Sequence, residues 1–595
     1  MLYLIDVLTL TAILAVAVHG YMLIKGLAGM LHLGHAVFYG IGAYAGAILS
    51  TRLLPPGFFP VAVLGGAVFA AAGALLVGWP ALQARGRYFM IVTFAMQLIF
   101  VTLVINFVFT GGPDGLSSIP RISLGPWQPG RRWALALGPL ELGFAQVKLL
   151  VMTAFTGLSF WFCSRIVQSP YGRLIRAVRE DEQVVEAYGR DATRAKLSIL
   201  LIGAGVTGAA GSLFAHHFNY VGPSQFELDL TMLLLAMLIL GGQYSLIGAT
   251  VGAVLMIGLL EALRFVLDNG LGVPLDMTAH LRQAAYSVIL VLILAVRSHG
   301  LFPERLPRLA RPPARQPAPR PAPAPTPASS DAVTDLGEAV LTASNLQKHF
   351  GGVTAVASAG LSLRRGKIIA IIGSNGAGKT TVFNILSGFE TADGGEAHVG
   401  RTSILGRQAA EIARLGVART FQDVRIWNRL TVIENILAAT PYQPGEHPAR
   451  LFLSPGRVAR AEAANVADAW SLLERFGLAD KANHPGSDLS YAQRKMLALG
   501  RVTAFNPAAM LLDEPTSGVD PKKLDVFLDH IRAFAHQDDR AVCLIEHNMA
   551  VVKELADWVL FMDEGRVVTS GTPGEVLGDH ILMRRYLGHR KVATA

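Results

Sequence analysis

Nine apolar stretches crowd the first 302 residues, near 2–24, 33–53, 59–79, 88–109, 147–168, 197–216, 230–248, 249–268 and 279–297. Each is close to the roughly 20 residues of helix that cross a bilayer's hydrocarbon core. In lipid every backbone N–H and C=O must be satisfied within the segment, so such stretches are helices. A multi-span α-helical membrane domain of about nine helices is the expectation, with the lipid bilayer as its solvent. The chain start lacks the basic opening and small-residue cleavage site of a signal peptide, so the first stretch should persist as a membrane helix.

Orientation follows the basic residues. The loop 169–196 carries Arg173, Arg176, Arg179, Arg190, Arg194 and Lys196 and is expected on the cytoplasmic side. Counting helices from there puts Lys25, Arg85, Arg87 and Arg297 on the same side, while 217–229 and 269–278 carry no Lys or Arg. Arg121, Arg131 and Arg132 in the loop 110–146 run against this assignment. An odd helix count then places the N-terminus outside and residue 297 inside. The formal net charge of +9 is accounted for by this asymmetry and by the linker below, so no nucleic acid is expected as a partner.

Gly42 with Gly46, and Gly248 with Gly252, form G-x-x-x-G pairs that predict close helix packing. The stretch GLAGMLHLGHAVFYGIGAY, Gly26 to Tyr44, allows two readings. Its glycines with His32 and His35 mark a broken helix near a substrate path, or the histidines are interfacial. Glu261 is the main acidic residue near a helix centre, and nothing resembles a proton relay. In the loop 169–196, Leu174, Val178, Val184, Val185 and Tyr188 interleave with charges, which suits a short helix docking on a soluble motor domain.

Residues 303–337 are rich in Pro, Ala and Arg and too poor in large apolar residues to build a core. They are expected to be an extended tether between a transmembrane domain, 1–302, and a soluble domain, 338–595. Cys163 and Cys543 fall in different halves and form no disulfide or metal pattern.

In the soluble half the apolar strand Ile368–Ile372 runs into Gly373, Ser374, Asn375, Gly376, Ala377, Gly378, Lys379, Thr380 and Thr381. This G-x-x-x-x-G-K-T loop wraps phosphates in backbone N–H groups, and the following helix points its positive end at them. Lys379 reaches the β- and γ-phosphates and the Thr380 hydroxyl is placed for Mg²⁺. Further along lie Gln422 in RTFQDVRIW, LSYAQ over Leu489–Gln493, Asp513 and Glu514 ending AMLLDE, Asp520 ending SGVD, and His547 ending VCLIEH.

In that order these motifs resemble the nucleotide-binding domain of ABC transporters, over residues 338–590. The resemblance implies an α/β P-loop ATPase using ATP and Mg²⁺. It implies that Phe350 stacks on adenine, that Gln422 senses Mg²⁺ and contacts the permease, and that Asp513 holds Mg²⁺. It further implies that Glu514 polarises the attacking water, that His547 contacts the γ-phosphate and that Asp520 joins the dimer contacts. Ser490, Tyr491, Ala492 and Gln493 stand in the signature that serves a partner's nucleotide, usually LSGGQ. Ala492 adds a methyl group where glycine is usual and disfavours positive φ, predicting a slower site there.

The membrane half resembles the permeases of branched-chain amino-acid importers, through Gly26–Tyr44, ARGRYFMIVTFA (84–95), TGGPDGL (110–116), GGQYSLIGATVGA (241–253) and RSHGLF (297–302). The soluble half is similar to that family's ATPase through RTFQDVRIWNRLTVIENILAA (419–439) and IEHNM (545–549). The implied protein is a fused permease and ATPase of a bacterial inner-membrane ABC importer, its ATPase domain cytoplasmic. It would work with a second permease and second ATPase, or another copy of the chain, and a periplasmic solute-binding protein. Branched-chain or related hydrophobic amino acids are the expected cargo, with amides, urea or aromatic acids as alternatives. An exporter half-transporter fits nine spans and short loops poorly, and a mere membrane-anchored ATPase leaves the glycine-rich spans unexplained.

Overall fold

The computed structural model describes residues 1–55, 58–83, 87–122, 134–137, 140–266, 288, 300–304, 306–311, 338–519 and 521–579. The chain divides into two compact units, one of Met1–Arg179 with Thr193–Arg305 and one of Glu180–Ala192 with Leu306–Ala595.

Helices of the first unit are α1 (Leu2–Tyr21), α2 (His35–Ile48), α3 (Phe59–Gln83), α4 (Arg87–Asn106), α5 (Phe144–Val167), α8 (Ala192–Phe218), α9 (Leu228–Gly241) and α10 (Leu246–Phe265). Between α5 and α8 run α6 (Pro170–Glu180) and α7 (Glu182–Ala187), and strands β1 (Ala134–Leu137) and β2 (Leu140–Gly143) form a hairpin before α5. Among the described residues seven helices are long and apolar enough to cross a membrane. They overlap the stretches predicted at 2–24, 59–79, 88–109, 147–168, 197–216, 230–248 and 249–268, the last two dividing at 242–245 rather than after Gly248. Apart from Val288, the stretch at 279–297 lies outside the described residues, as do Arg85, Arg297 and most of the linker.

The stretch at 33–53 is helical over His35–Leu53 but is not among these seven. The 14-residue α2 continues without a break into a π-helical turn at Leu49–Leu53. Nearly all of α2 is buried, and an enclosed helix need not match the bilayer in length or apolarity. Upstream, α1 closes in a π-helical turn at Met22–Leu27 and regular structure stops until His35. His32 and His35 are both buried, and His35 stacks on Tyr21 with ring centroids 4.1 Å apart. The interruption is therefore real, and both histidines are packed inside the unit.

Small residues let these helices touch. A Cβ on Gly42 would stand 2.1 Å from the Gly208 carbonyl oxygen, and one on Gly252 would stand 2.0 Å from that of Met237. Both G-x-x-x-G pairs thus serve close packing. Buried His19 on α1 joins Ser159 on α5 and Thr250 on α10, each at 2.8 Å.

The orientation expected from the arginines has a direct test. Gln183 and Glu227 are exposed, whereas Cys163 and Cys543 are buried. Single cysteines at Gln183 and Glu227, in a background lacking both native cysteines, should react with an impermeant maleimide from opposite faces of the membrane. Reaction of both from the outside would sink the assignment.

The second unit is built on a ten-stranded sheet. Its strands are β3 (Ala339–Phe350), β4 (Val353–Arg364), β5 (Ile368–Gly373), β6 (Gly394–Val399), β7 (Thr402–Ser403), β8 (Val417–Arg419), β9 (Ala509–Asp513), β10 (Ala541–Ile545), β11 (Trp558–Asp563) and β12 (Arg566–Gly571). They lie in the order β7-β6-β3-β4-β12-β11-β5-β10-β9-β8. The segment β11-β5-β10-β9-β8 is parallel. Strands β5, β9 and β10 are buried at every residue, which is why they read as unbroken apolar stretches rather than alternating ones. Register pairs Ile545 with both Ile371 and Asp513. The phosphate loop, the Asp513–Glu514 pair and His547 therefore emerge side by side at the carboxyl ends of adjacent strands, where open α/β sheets place their ligands.

Candidate functional site

From β5 the chain turns through Gly373–Gly378 into the helix Lys379–Leu386. Gly378 adopts φ +93°, and a Cβ there would stand 2.2 Å from the Ala355 carbonyl oxygen, so only glycine lets the loop pass β4 this closely. Lys379 is buried, and its Nζ donates to the carbonyls of Gly373 and Ser374 at 2.8 Å each. Burial lowers its pKa, while Glu514 and Asp513 pull it back up. Ser374 donates to Asp563 at 3.1 Å, tying the loop to the end of β11. Thr380 is exposed at the first turn and Thr381 half-buried. Phe350 ends β3, half-exposed, with the Lys348 ammonium 5.2 Å from its ring centroid.

Across from the loop three side chains converge. Glu514 Oε1 accepts from Gln422 Nε2 and lies against His547 Nε2, both at 3.2 Å. Glu514 holds φ +46°, a left-handed backbone that a non-glycine residue adopts at a cost. Its N–H donates to the Ile545 carbonyl at 3.0 Å, and its own carbonyl accepts from Lys495 Nζ at 2.8 Å. These bonds hold the carboxylate beyond the sheet edge.

Asp513 is buried at the end of β9. Its Oδ2 accepts from Arg419 Nη2 at 3.3 Å, while Oδ1 has no partner among the described residues. Burial raises its pKa, opposed first by the Arg419 charge. A buried, half-satisfied carboxylate beside a phosphate loop suits a hard divalent cation with oxygen ligands.

Sequence reasoning missed three residues here. Arg419 braces Asp513 and also donates to Ser387 at 3.2 Å. Lys495 fixes the Glu514 carbonyl. Glu546 accepts from the N–H and hydroxyl of Thr516, at 2.9 and 2.7 Å, and so stiffens the turn after Glu514. For Arg419 and Glu546 the available signal was a charged residue at the end of an apolar strand pattern, as in VAR and CLIE.

The signature residues begin the helix Tyr491–Phe505. Ser490 caps it, accepting from the Gln493 N–H at 3.4 Å, while Gln493 Oε1 accepts from the Ser490 N–H at 3.0 Å. Ala492 lies within the first turn and is absent from the left-handed residues. The expected backbone penalty for alanine therefore does not arise, and only its methyl group distinguishes it. Asp520 lies outside the described residues.

The segment Glu180–Ala192 belongs to this unit and packs beside the stretch that carries Gln422. Arg190 pairs with Glu446 at 2.9 Å and donates to the Ala439 carbonyl at 3.1 Å. Arg425 reaches Gln183 at 2.5 Å, and the Arg429 N–H donates to Glu180 at 3.0 Å. The guanidinium of buried Arg501, on the signature helix, lies 3.9 Å from the Trp427 ring centroid and 5.0 Å from that of Tyr188. Its Nη1 also donates to the Arg425 carbonyl at 2.7 Å. The amphipathic loop thus meets a soluble domain, as its pattern predicted.

Comparison with known proteins assigns both halves. Residues 3–296 match the permease component of the branched-chain amino acid transport system, and residues 356–517 match the ABC transporter family. The chain is 36% identical over 255 residues to the high-affinity branched-chain amino acid transport ATP-binding protein LivG of Salmonella typhimurium, covering 42% of this chain and 99% of LivG. It is 33% identical over 316 residues to the permease protein LivM of that system and organism, covering 51% of this chain and 71% of LivM. A solved nucleotide-free ATP-binding cassette from an ABC transporter aligns at 28% identity and TM-score 0.37, over 42% of this chain and all of that one.

Proposed function

Since the chain belongs to the branched-chain amino-acid ABC transporter family, with its permease and its ATP-binding component in one polypeptide, we propose that it imports branched-chain or related hydrophobic amino acids across a bacterial inner membrane. It is a multi-pass membrane protein with a soluble ATPase domain, and it hydrolyses ATP in step with transport. In this reading a periplasmic binding protein delivers the cargo, and a second permease and ATPase complete the complex, from separate chains or a second copy.

The observation that carries the reading is the meeting of Gln422, Glu514 and His547 within 3.2 Å contacts, beside the phosphate loop. A stretch three to seven residues beyond Gln422 packs on the permease segment 180–192. Phosphoryl transfer needs mainly positioning and charge stabilisation. The loop N–H groups and Lys379 grip the phosphates. Phe350 offers a ring face to adenine. Glu514 orients the attacking water and draws its proton, with His547 and Gln422 keeping the carboxylate in place. Asp513, Thr380 and Gln422 would hold Mg²⁺, which neutralises phosphate charge when bound. Ser490, Tyr491, Ala492 and Gln493, with Asp520, would close over the partner's nucleotide.

The test is leucine uptake into proteoliposomes holding the complete complex with ATP enclosed on the ATPase side. Uptake should require the binding protein and be competed by isoleucine and valine. Uptake indifferent to the binding protein, or competed by urea or simple amides instead, would overturn the delivery route or the cargo class respectively.

A further inference from the structure

Phe226 ends the 3-10 turn Pro223–Phe226 and is fully buried. Around it gather the rings of Tyr44, Tyr39 and Phe100, with centroids 5.8, 6.1 and 6.5 Å from its own. The Phe226 carbonyl accepts a hydrogen bond from Gln97 Nε2 on α4. The loop 111–116 packs beside this turn, where Leu116 and Val221 exchange backbone bonds of 2.8 and 2.9 Å. Glycine in TGGPDGL permits this close approach, since a Cβ on Gly115 would stand 2.2 Å from the Val221 carbonyl oxygen.

Three polar atoms here have no partner among the described residues. They are the hydroxyls of Tyr39 and Tyr44 and Oε1 of Gln97, on side chains exposed by 0, 4 and 1%. A buried, unpaired polar atom costs about 1–3 kcal/mol, so three on side chains that meet one residue demand a reason. Packing alone supplies none, because phenylalanine fills a tyrosine's place without the penalty. The orphaned set is also chemically complete. Two phenol O–H groups can donate to a carboxylate, the amide oxygen can accept from an ammonium, and the aromatic rings can cover an apolar side chain.

We propose that Tyr39, Tyr44 and Gln97, gathered around Phe226 beneath the loop 111–116, form a transit site for a zwitterionic amino acid with an apolar side chain. In the closed arrangement described here the site holds its unpaired groups ready, and parting of the Leu116–Val221 contact admits the cargo. The site lies within the permease unit, its two tyrosines on the interior helix that follows a break in regular structure, and discontinuous helices are where transporters build midplane sites. The proposal rests on the import reading above and adds the residues that meet the cargo.

The double variant Tyr39→Phe/Tyr44→Phe tests it in the complete complex with binding protein. Loss of two charge-assisted bonds should lower leucine import per ATP hydrolysed by about tenfold or more. Binding-protein-stimulated ATP hydrolysis should stay within about twofold, because the nucleotide site is untouched. The melting midpoint should hold or rise as two unpaired hydroxyls disappear, which separates this result from misfolding. A double variant importing leucine at the parental ratio overturns the transit site and leaves the import reading intact. Failure of the parental complex to import leucine overturns the import reading, and the transit site with it.

Discussion

Glu514→Gln will bind ATP as tightly as the parent chain and hydrolyse it about 10²–10⁴-fold more slowly, the range set by losing a positioned general base. The amide fills the same volume and can still accept from His547 Nε2 and Gln422 Nε2, now 3.2 Å from the carboxylate. Geometry survives and basicity does not. Lys379→Ala should behave oppositely, weakening nucleotide affinity by roughly tenfold or more as a charge-assisted bond to phosphate is lost. Nucleotide affinity and steady-state turnover of both variants decide the matter. Parental turnover in Glu514→Gln would remove that residue from its assigned role, and parental affinity in Lys379→Ala would remove the lysine from the phosphate cradle.

Much of this site was legible because its signals are local. A buried parallel strand reads as an apolar run, glycine spacing reads as a phosphate loop, and together they located Gly373–Thr381, Asp513, Glu514 and His547. What stayed hidden depends on pairing across the fold. Arg419 looks like any arginine after a short strand until β8 and β9 lie side by side and bring it to Asp513. The left-handed backbone of Glu514 is likewise invisible in residue types.

The membrane half shows the same division. Hydropathy found the seven long helices, since each must satisfy the bilayer on its own. It did not show that α2 is enclosed by its neighbours, because enclosure is a property of packing. The backbone cost expected for Ala492 does not arise for a related reason, since the Ser490 cap and the helix turn that follows set its backbone. The orphaned atoms near Phe226 could not be foreseen either, because a tyrosine's lack of a partner exists only once its neighbours are in place.

Tyr188→Ala is expected to cut leucine import by about tenfold while leaving unstimulated ATP hydrolysis within about twofold of the parent. Tyr188 lies in the segment that joins two membrane helices, and its ring faces the Arg501 guanidinium and sits 6.1 Å from Trp427 and 5.8 Å from Phe505. Arg501 in turn donates to the Arg425 carbonyl, and Arg425 stands three residues from Gln422, the side chain bonded to Glu514. One buried cation therefore touches the signature helix, the Gln422 stretch and the permease segment at once. A cation–π contact that is shielded from water is worth about 2 kcal/mol, which corresponds to more than tenfold in an equilibrium. Removing the ring should loosen the permease segment from both ATPase elements without disturbing the phosphate loop. Tyr188→Phe keeps the ring and should remain within about threefold of the parent in import. Import rates, and hydrolysis with and without loaded binding protein, read the difference. If the alanine variant transports normally, or the phenylalanine variant fails as badly, the aromatic ring is not what links transport to hydrolysis.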